Sequence, residues 1–403
     1  MARSFFANEQ FNFELQLALG QVAYGSGDVG ELLSTAERIE DGNFDSWVAE
    51  WTAVGRRIEE IAESCAASGH ALSARAAYLR SSQYYALALS AVDGTTDPEA
   101  LLLPTFRAHR RTFDAHVARL SPVAEKVEIP YEGTTLPGYL FRPGWEPTQR
   151  PTLILNNGSD GPVTALWAGP GTGAVARGYN VLIFDGPGQQ SMLFERNVPF
   201  RPDWERVITP VVDYLLGISD VDPGRIALYG ISQGGYWVPR ALAFERRPAA
   251  GIADPGVFDV STAWLERLPP EMLPLLEAGD KENFDHFIEM GLRDATPQDR
   301  QTMAWRAKPY GTSSPFDTFT AVRQYTLHGL ADRITTPLLI TDPEGEKFWP
   351  GQPKRLYHAV GGPKKLVGFT AAEGAAGHCE PMARTLLEQR MFDWLDETLS
   401  PTR

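Results

Sequence analysis

The sequence predicts an α/β protein in which a doubly wound, mostly parallel sheet follows an all-helical N-terminal segment. Three observations predict this fold class. After about residue 119, short apolar segments of strand length alternate with helix-length segments, as in a parallel sheet covered on both faces. Before that point only helical spacing is found. A serine also lies between two glycines, in residues 230–234 (GISQG), with a strand-like segment before it and a helix-like segment after it.

The composition is that of a soluble globular protein. Hydrophobic residues make up 43% of the 403 residues and charged residues 22%, and this length allows one large domain and a smaller one. The net charge of −14 argues against a nucleic-acid or anionic-membrane partner, because both attract a basic surface. We therefore expect a small molecule as the partner, and neither a nucleic acid nor a membrane.

Cysteine usage and the N-terminus indicate a reducing compartment. Cys65 and Cys379 are far apart and in no metal-ligand spacing, so we expect reduced thiols, no metal site and no cofactor. The acidic Glu9 comes before any apolar segment develops, and no apolar run approaches the ~20 residues of a membrane-spanning helix. These features predict a cytoplasmic protein.

Residues 1–118 are predicted to form a helical domain. Apolar residues such as Trp51 and Ile58 recur at intervals of three and four, as in an amphipathic helix. A second helix is predicted from Ser73 through Tyr85, and a third over 106–120.

Residues 119–403 are predicted to form an α/β domain. Glu132 and Gly133 indicate a hairpin turn between the first two strands. The predicted strands are 126–130, 136–141, 152–156, 180–184, 225–229, 336–340 and 365–369. At about 256–330 the alternation is interrupted by a segment rich in Trp, Met, Phe and Leu at helical spacing, which predicts a helical cap.

Ser232 is the predicted nucleophile. Glycines on both sides let the chain turn sharply from strand to helix, which presents the hydroxyl beside the free N–H groups of the helix. A serine needs a base, and in folds with this turn the acid and then the histidine follow the serine in sequence. We favour His378, in a loop of small residues after the last strand, as the base. His328 and His358 are the alternatives, with surface or packing roles as their simpler interpretation.

The acid that orients the base is predicted in the loop after the strand at 336–340. Glu346 lies four residues before Pro350, in the register where such an acid often stands, and we favour it over Asp342, which is closer to the strand end. Glu344 is a weaker candidate. At least two of these three are expected to be solvated loop carboxylates.

An oxyanion hole requires two N–H donors directed at the developing negative charge. The backbone amide of Gln233, directly after the nucleophile, is one predicted donor. The second is the amide of Ser159, in the loop after the strand at 152–156. The glycine-rich turn at 184–191 (FDGPGQQS) is predicted to be structural, with Asp185 capping backbone groups.

Four segments carry a family resemblance. Residues 73–85, 184–189 (FDGPGQ), 230–235 (GISQGG) and 377–379 (GHC) together resemble the α/β-hydrolase superfamily. More narrowly, the chain resembles the branch with an N-terminal helical domain that includes 2,6-dihydroxypseudooxynicotine hydrolase and the fungal hydrolase that shortens a heptaketide naphthopyrone. The resemblance spans most of residues 45–385, and it implies an α/β-hydrolase fold with this helical domain and a helical cap.

The resemblance also implies a role for Asp160. In that branch an acidic residue of the oxyanion loop is implicated in cleaving a C–C bond next to a carbonyl, and Asp160 falls at the matching place, although the family has Glu there. A carboxyl group beside an oxyanion hole is useful when it is protonated or handles a proton of a ketone. The alternative interpretation is that Asp160 caps the following helix.

The sequence therefore predicts a serine hydrolase of small aromatic or polyketide-like carbonyl compounds, with C–C hydrolysis as the expected reaction. A carboxylesterase, an acyltransferase or cyclase, and a catalytically dead binding module are the alternatives. Aromatic side chains of the cap and helical domain are candidates to line an apolar cleft, and the helical domain offers a surface for a homodimer. These aromatic candidates are Trp237, Trp264, Trp305 and Tyr84.

Overall fold

The computed structural model describes residues 4–400, which form one eight-stranded sheet, helices on both of its faces and a group of helices before it. The strands are β1 Glu125–Tyr131, β2 Thr134–Phe141, β3 Arg150–Asn156, β4 Asn180–Phe184, β5 Val221–Ile231, β6 Ala250–Asp254, β7 Leu338–Pro343 and β8 Lys364–Phe369. The helices are α1 Glu9–Gly20, α2 Val29–Ala36, α3 Phe44–Ala67, α4 Ala71–Leu89, α5 Pro98–Val117, α6 Val163–Leu166, α7 Thr172–Ala176, α8 Gln190–Phe194, α9 Glu205–Leu216, α10 Gly234–Leu242, α11 Thr262–Leu265, α12 Met272–Ala278, α13 Lys281–Asp294, α14 Pro297–Ala307, α15 Pro315–Val322, α16 Gln352–Ala359 and α17 Arg384–Leu399. Within residues 4–400, none of these helices combines the length and the apolar character that a bilayer crossing demands.

The sheet has the strand order β1-β2-β4-β3-β5-β6-β7-β8, and all pairs from β4 to β8 are parallel. β1 and β2 form the predicted antiparallel hairpin, with Glu132 and Gly133 as its turn residues at positive φ. The predicted mostly parallel α/β fold is confirmed. The carboxyl ends of the parallel strands meet at one edge, where sites in this fold class lie.

Alternate residues of the central strands face opposite sides of the sheet. Ile154 and Leu228 pack into the core under α9, α10 and the cap, whereas Leu153 and Ala227 pack into the core under α5 and α17. The strands are apolar throughout because both faces are buried.

β6 is missing from the strands that the sequence predicts. Its residues, Ala250–Asp254, are mostly small, so they give little strand signal. The small size has a packing reason, since a Cβ on Gly251 would collide with the side chain of Leu242 in the neighbouring α10.

The N-terminal helices have a core of their own. Phe11 of α1 stacks on Trp47 of α3 with 4.3 Å between ring centroids, and Trp47 donates its indole N–H to the carbonyl of Leu87 in α4. Arg110 of α5 joins this helical region to the sheet through a buried ion pair of 2.6 Å with Asp185. Helices α11–α15 lie between β6 and β7, in the segment where a cap is predicted.

Candidate active site

Ser232 lies in the turn between β5 and α10, and its backbone is left-handed, with φ of 56°. The Ser232 N–H donates to the carbonyl of Asp254 at 2.6 Å, which fixes the turn to the end of β6. Gly230 leaves no room for a Cβ, because the carbonyl of Gly234 occupies that space. The glycines therefore permit a tight turn that presents the serine hydroxyl at the carboxyl edge of the sheet.

His378 links this serine to an acid. Its Nε2 lies 2.9 Å from Ser232 Oγ, and its Nδ1 lies 2.6 Å from Glu346 Oε2. The His378 and Glu346 side chains are only 7% and 3% exposed. With the Nδ1 proton donated to the carboxylate, Nε2 is free to accept the proton of the serine hydroxyl.

The protein holds Glu346 ionised. Burial alone would raise the pKa of this carboxyl. His378 and hydrogen bonds from the backbone amides of Phe348 and Trp349, at 2.7 and 3.1 Å, have the opposite and larger effect. The pKa of Glu346 therefore lies below its ordinary value. An ionised acid at Nδ1 favours the imidazolium that forms when the histidine takes a proton.

The other predicted partners of Ser232 lie elsewhere. Asp342 is 3.6 Å from Lys354, and Glu344 accepts a hydrogen bond from the amide of Ala371. Between Glu346 and Asp342, the structure thus brings Glu346 to the histidine. His328 and His358 are exposed, His358 on α16 as predicted.

The loop after β3 passes directly beside Ser232. A Cβ on Gly158 would lie 2.8 Å from the Cβ of Ser232, so only glycine allows this approach. Gln189 holds the loop by donating from Nε2 to the carbonyls of Asn157 and Gly158, each at 2.9 Å. Over residues 4–400, the amides of Gln233 and Ser159 donate to no other protein group, and both residues line the cavity described below. They are thus available to a ligand.

Asp160 lines the same cavity and does not cap a helix. The next helix, α6, has Pro162 at its N-cap position and no side-chain cap. The Asp160 carboxyl accepts a hydrogen bond of 2.9 Å from the hydroxyl of Ser159. Desolvation by the surrounding cavity walls raises its pKa, and Ser159, Arg306 and His378 only partly oppose that effect.

Glu14 of α1 is a second carboxyl in this cavity. Burial, and then the neighbouring charge of Asp160, raise the pKa of Glu14 to about 8. The α1 helix also places the Phe13 ring 6.3 Å from the ring of His378. The N-terminal helices therefore form one wall of the site.

The cavity has a volume of about 630 Å³ and lies between α1, the cap and the carboxyl edge of the sheet. This volume suits a small organic molecule. Of the four aromatic residues predicted to line a cleft, Trp264 and Trp305 do so. The prediction is wrong for Trp237, which stacks on Trp204 at 4.3 Å in the hydrophobic core, and for Tyr84, which packs on Trp51 inside the helical region.

A buried network anchors the loop that carries His378. Arg384 donates to the carbonyl of Cys379 at 2.7 Å and to the hydroxyl of Tyr229 at 3.1 Å. Tyr229 in turn donates to Asp254 at 2.5 Å. The loop is thereby tied to the ends of β5 and β6, next to the turn of Ser232.

Sequence reasoning misses Glu14, Arg306 and Gln189. Gln189 belongs to the turn that was predicted to be structural, and it supports the oxyanion loop from there. Glu14 and Arg306 lie on helices where a charged residue is usually a solvated one. Their position in the cavity is a consequence of tertiary packing, and the local sequence around them contains no pattern that predicts it.

Several curated relatives match nearly the whole chain. The chain is similar to the alpha/beta hydrolase xenA of Xenoacremonium sinensis, with 30% identity over 420 residues and 96% of each chain covered. It is also similar to the 20-hydroxy-prefusarin hydrolase FUS2 of Gibberella moniliformis, with 29% identity over 415 residues, 99% of this chain and 98% of that one.

Among solved structures, the chain is similar to the 2,6-dihydroxy-pseudo-oxynicotine hydrolase, with a TM-score of 0.75 and 19% identity. The match covers 94% of this chain and 95% of that one, so it includes the N-terminal helices as well as the sheet. At this identity the likeness shows the fold alone. No protein-family model matches the chain.

Proposed function

The chain belongs to the α/β-hydrolase family, and we propose that it is a serine hydrolase that cleaves a C–C bond next to a ketone in a small aromatic or polyketide-like compound. The observation that carries the serine assignment is the hydrogen-bonded series from Glu346 through His378 to Ser232, with distances of 2.6 and 2.9 Å. Such a series activates a hydroxyl that is otherwise a poor nucleophile.

In this proposal His378 removes the hydroxyl proton as Ser232 attacks the ketone carbon. The amides of Gln233 and Ser159 stabilise the resulting oxyanion, and Glu346 stabilises the imidazolium. The tetrahedral intermediate then loses its carbon leaving group with the electron pair of the C–C bond. Water, deprotonated by His378, releases the acyl group from Ser232 as a carboxylic acid.

The carboxyls of Asp160 and Glu14 support C–C cleavage over esterolysis. A carbon leaving group must be protonated, whereas an ionised carboxylate beside an oxyanion would oppose the attack. The pKa of Glu14 is raised to about 8, so Glu14 holds a proton at neutral pH and, with Asp160 beside it, can supply that proton. His378 then returns its proton to the carboxyls before water is activated.

The names of similar proteins support a hydrolase of a small organic compound. One relative is named for 20-hydroxy-prefusarin and one structural neighbour for 2,6-dihydroxy-pseudo-oxynicotine, and both are called hydrolases. The mixed polar and aromatic walls of the cavity, with Trp264 and Trp305, suit an aromatic or polyketide-like compound.

The test is a comparison of an aryl 1,3-diketone with an aryl ester of similar size, with products identified by mass spectrometry. We expect the diketone to yield a carboxylic acid and a methyl ketone. Ser232→Ala should lower both rates by about 10⁴-fold or more, and Asp160→Asn should lower the ratio of diketone to ester cleavage by at least about 10-fold.

Other outcomes favour the alternatives. Ester hydrolysis without diketone cleavage would identify a carboxylesterase. Transfer of the acyl group to an added nucleophile in place of water would identify an acyltransferase or cyclase. If a fluorophosphonate forms no adduct on Ser232 and neither substrate is cleaved, the catalytically dead binding module is the remaining interpretation.

A further inference from the structure

Arg306, near the end of α14 in the cap, contributes a guanidinium to the cavity wall. Within residues 4–400 this guanidinium has no ion pair within 4.0 Å and makes no hydrogen bond, although it carries five N–H donors. It rests over the ring of Phe348 at 5.4 Å, and that ring lies 4.6 Å from the ring of His378. The cation therefore stands one aromatic ring away from the proposed base.

Unlike Arg306 and Arg267, two other cations of the cavity wall are paired within the described residues 4–400. Lys308 is paired with Asp93 at 2.7 Å, and Arg384 with Asp254 at 3.5 Å. Arg267 also lines the cavity and repels Arg306, because burial and then Arg267 lower the pKa of Arg306 to about 10.

A charge without a partner in the wall of a protein cavity has an unfavourable desolvation free energy, which a bound ligand of opposite charge can offset. Asp160 attracts Arg306 across the cavity but forms no ion pair with it. The guanidinium of Arg306 lies over one face of the Phe348 ring. Its N–H groups lie in the guanidinium plane and remain free for a ligand. That planar fork matches a carboxylate or another delocalised oxyanion.

We propose that Arg306 is the anion-binding residue of this cavity, and that the substrate carries a carboxylate or an ionised enol which Arg306 holds while Ser232 attacks. Arg267 adds to the positive field at the same wall. Glu14 of α1 and Asp160 of the oxyanion loop line the same cavity, so groups of both signs are available to orient the substrate. This inference rests on the proposed serine hydrolase and deepens it.

The first experiment compares two esters of equal shape, mono-4-nitrophenyl glutarate and 4-nitrophenyl 5-methylhexanoate, which differ in a terminal carboxylate. We expect Arg306→Gln to lower the ratio of their kcat/KM values, anionic to neutral, by at least about 10-fold, mainly through KM. Arg323→Gln is the matched control, since Arg323 is an exposed arginine of the same cap. That control should leave the ratio unchanged. An equal ratio in wild type and Arg306→Gln would overturn the proposal.

The second experiment measures binding without chemistry. Isothermal titration of Ser232→Ala with benzoate and with dimedone, a cyclic 1,3-diketone that is ionised at neutral pH, distinguishes the two oxyanions. Binding of one or both that falls at least about 10-fold in Ser232→Ala/Arg306→Gln supports the proposal and names the group. Binding of neither, or binding indifferent to Arg306, overturns it. A wild type that hydrolyses no ester but binds these anions through Arg306 would instead count against the proposed hydrolase.

Discussion

The two walls of the cavity are built in different ways. On the sheet wall, Ser232, His378 and Glu346 are linked to one another and buried around His378. On the helical wall, Glu14 and Arg306 bring charges that the protein leaves without an ion pair within residues 4–400. The groups of the proposed triad are held in one geometry, whereas the charged groups of the helical wall are left to interact with a ligand. Substitutions should therefore lower the rate on the first wall and change selectivity or titration on the second.

The largest effect is expected on the sheet wall. Glu346→Gln keeps the shape of the acid but removes the charge that supports the imidazolium, so we expect kcat to fall by about 10³- to 10⁴-fold. Asp342→Asn, in the same loop but 3.6 Å from Lys354, is the matched control and should stay within about two-fold. Steady-state kinetics of ester or diketone hydrolysis measures both. A larger loss for Asp342→Asn would transfer the acid role to that residue.

A smaller effect is expected where the two walls are joined. Asp185→Ala leaves Arg110 buried without its 2.6 Å partner, so the free energy of unfolding should fall by about 3–5 kcal/mol. Glu195→Ala breaks the ion pair with Arg107 between the same two regions, but there the side chains are 38% and 64% exposed, and a loss of only about 0–1 kcal/mol is expected. Urea denaturation measures both. Equal losses would show that burial does not set the strength of this junction.

A pH dependence of stability is expected on the helical wall. Glu14 has its pKa raised to about 8 in the folded state, so the folded protein holds a proton that the unfolded chain releases near pH 4.5. Relative to Glu14→Gln, the stability of the wild type is full below about pH 4.5 and declines as the pH rises through about 8. Denaturation midpoints of both proteins at pH 5 and pH 9 measure this. A constant difference between them would show that Glu14 titrates normally.

The proposed reacting groups could be located from the sequence because each follows a strand. The turn at 230–234, His378 after the last strand and Glu346 after β7 all have a local pattern, and parallel strands bring their carboxyl ends together. The sequence does not decide between Glu346 and Asp342, because both lie close to the end of the same strand. Only the path of the loop shows which carboxyl reaches His378.

The helical wall could not be predicted in the same way. Trp237 and Tyr84 have the same local pattern as Trp264 and Trp305, so only the fold separates core aromatics from those of the cavity. Glu14 lies on α1, and strands β1 to β5 come between it and Ser232 in the sequence. No local spacing therefore relates the two residues. Residues that meet through tertiary packing alone have no signature within one segment.

The position of α1 makes the site depend on segments that lie far apart in the sequence. The apolar side of α1, with Phe11, packs against Trp47 in the core of the N-terminal helices. Gly20, at the end of α1, packs against Pro381, in the loop just after His378. A shift of the N-terminal helices would therefore also move the loop of the proposed base, so the two regions are mechanically coupled.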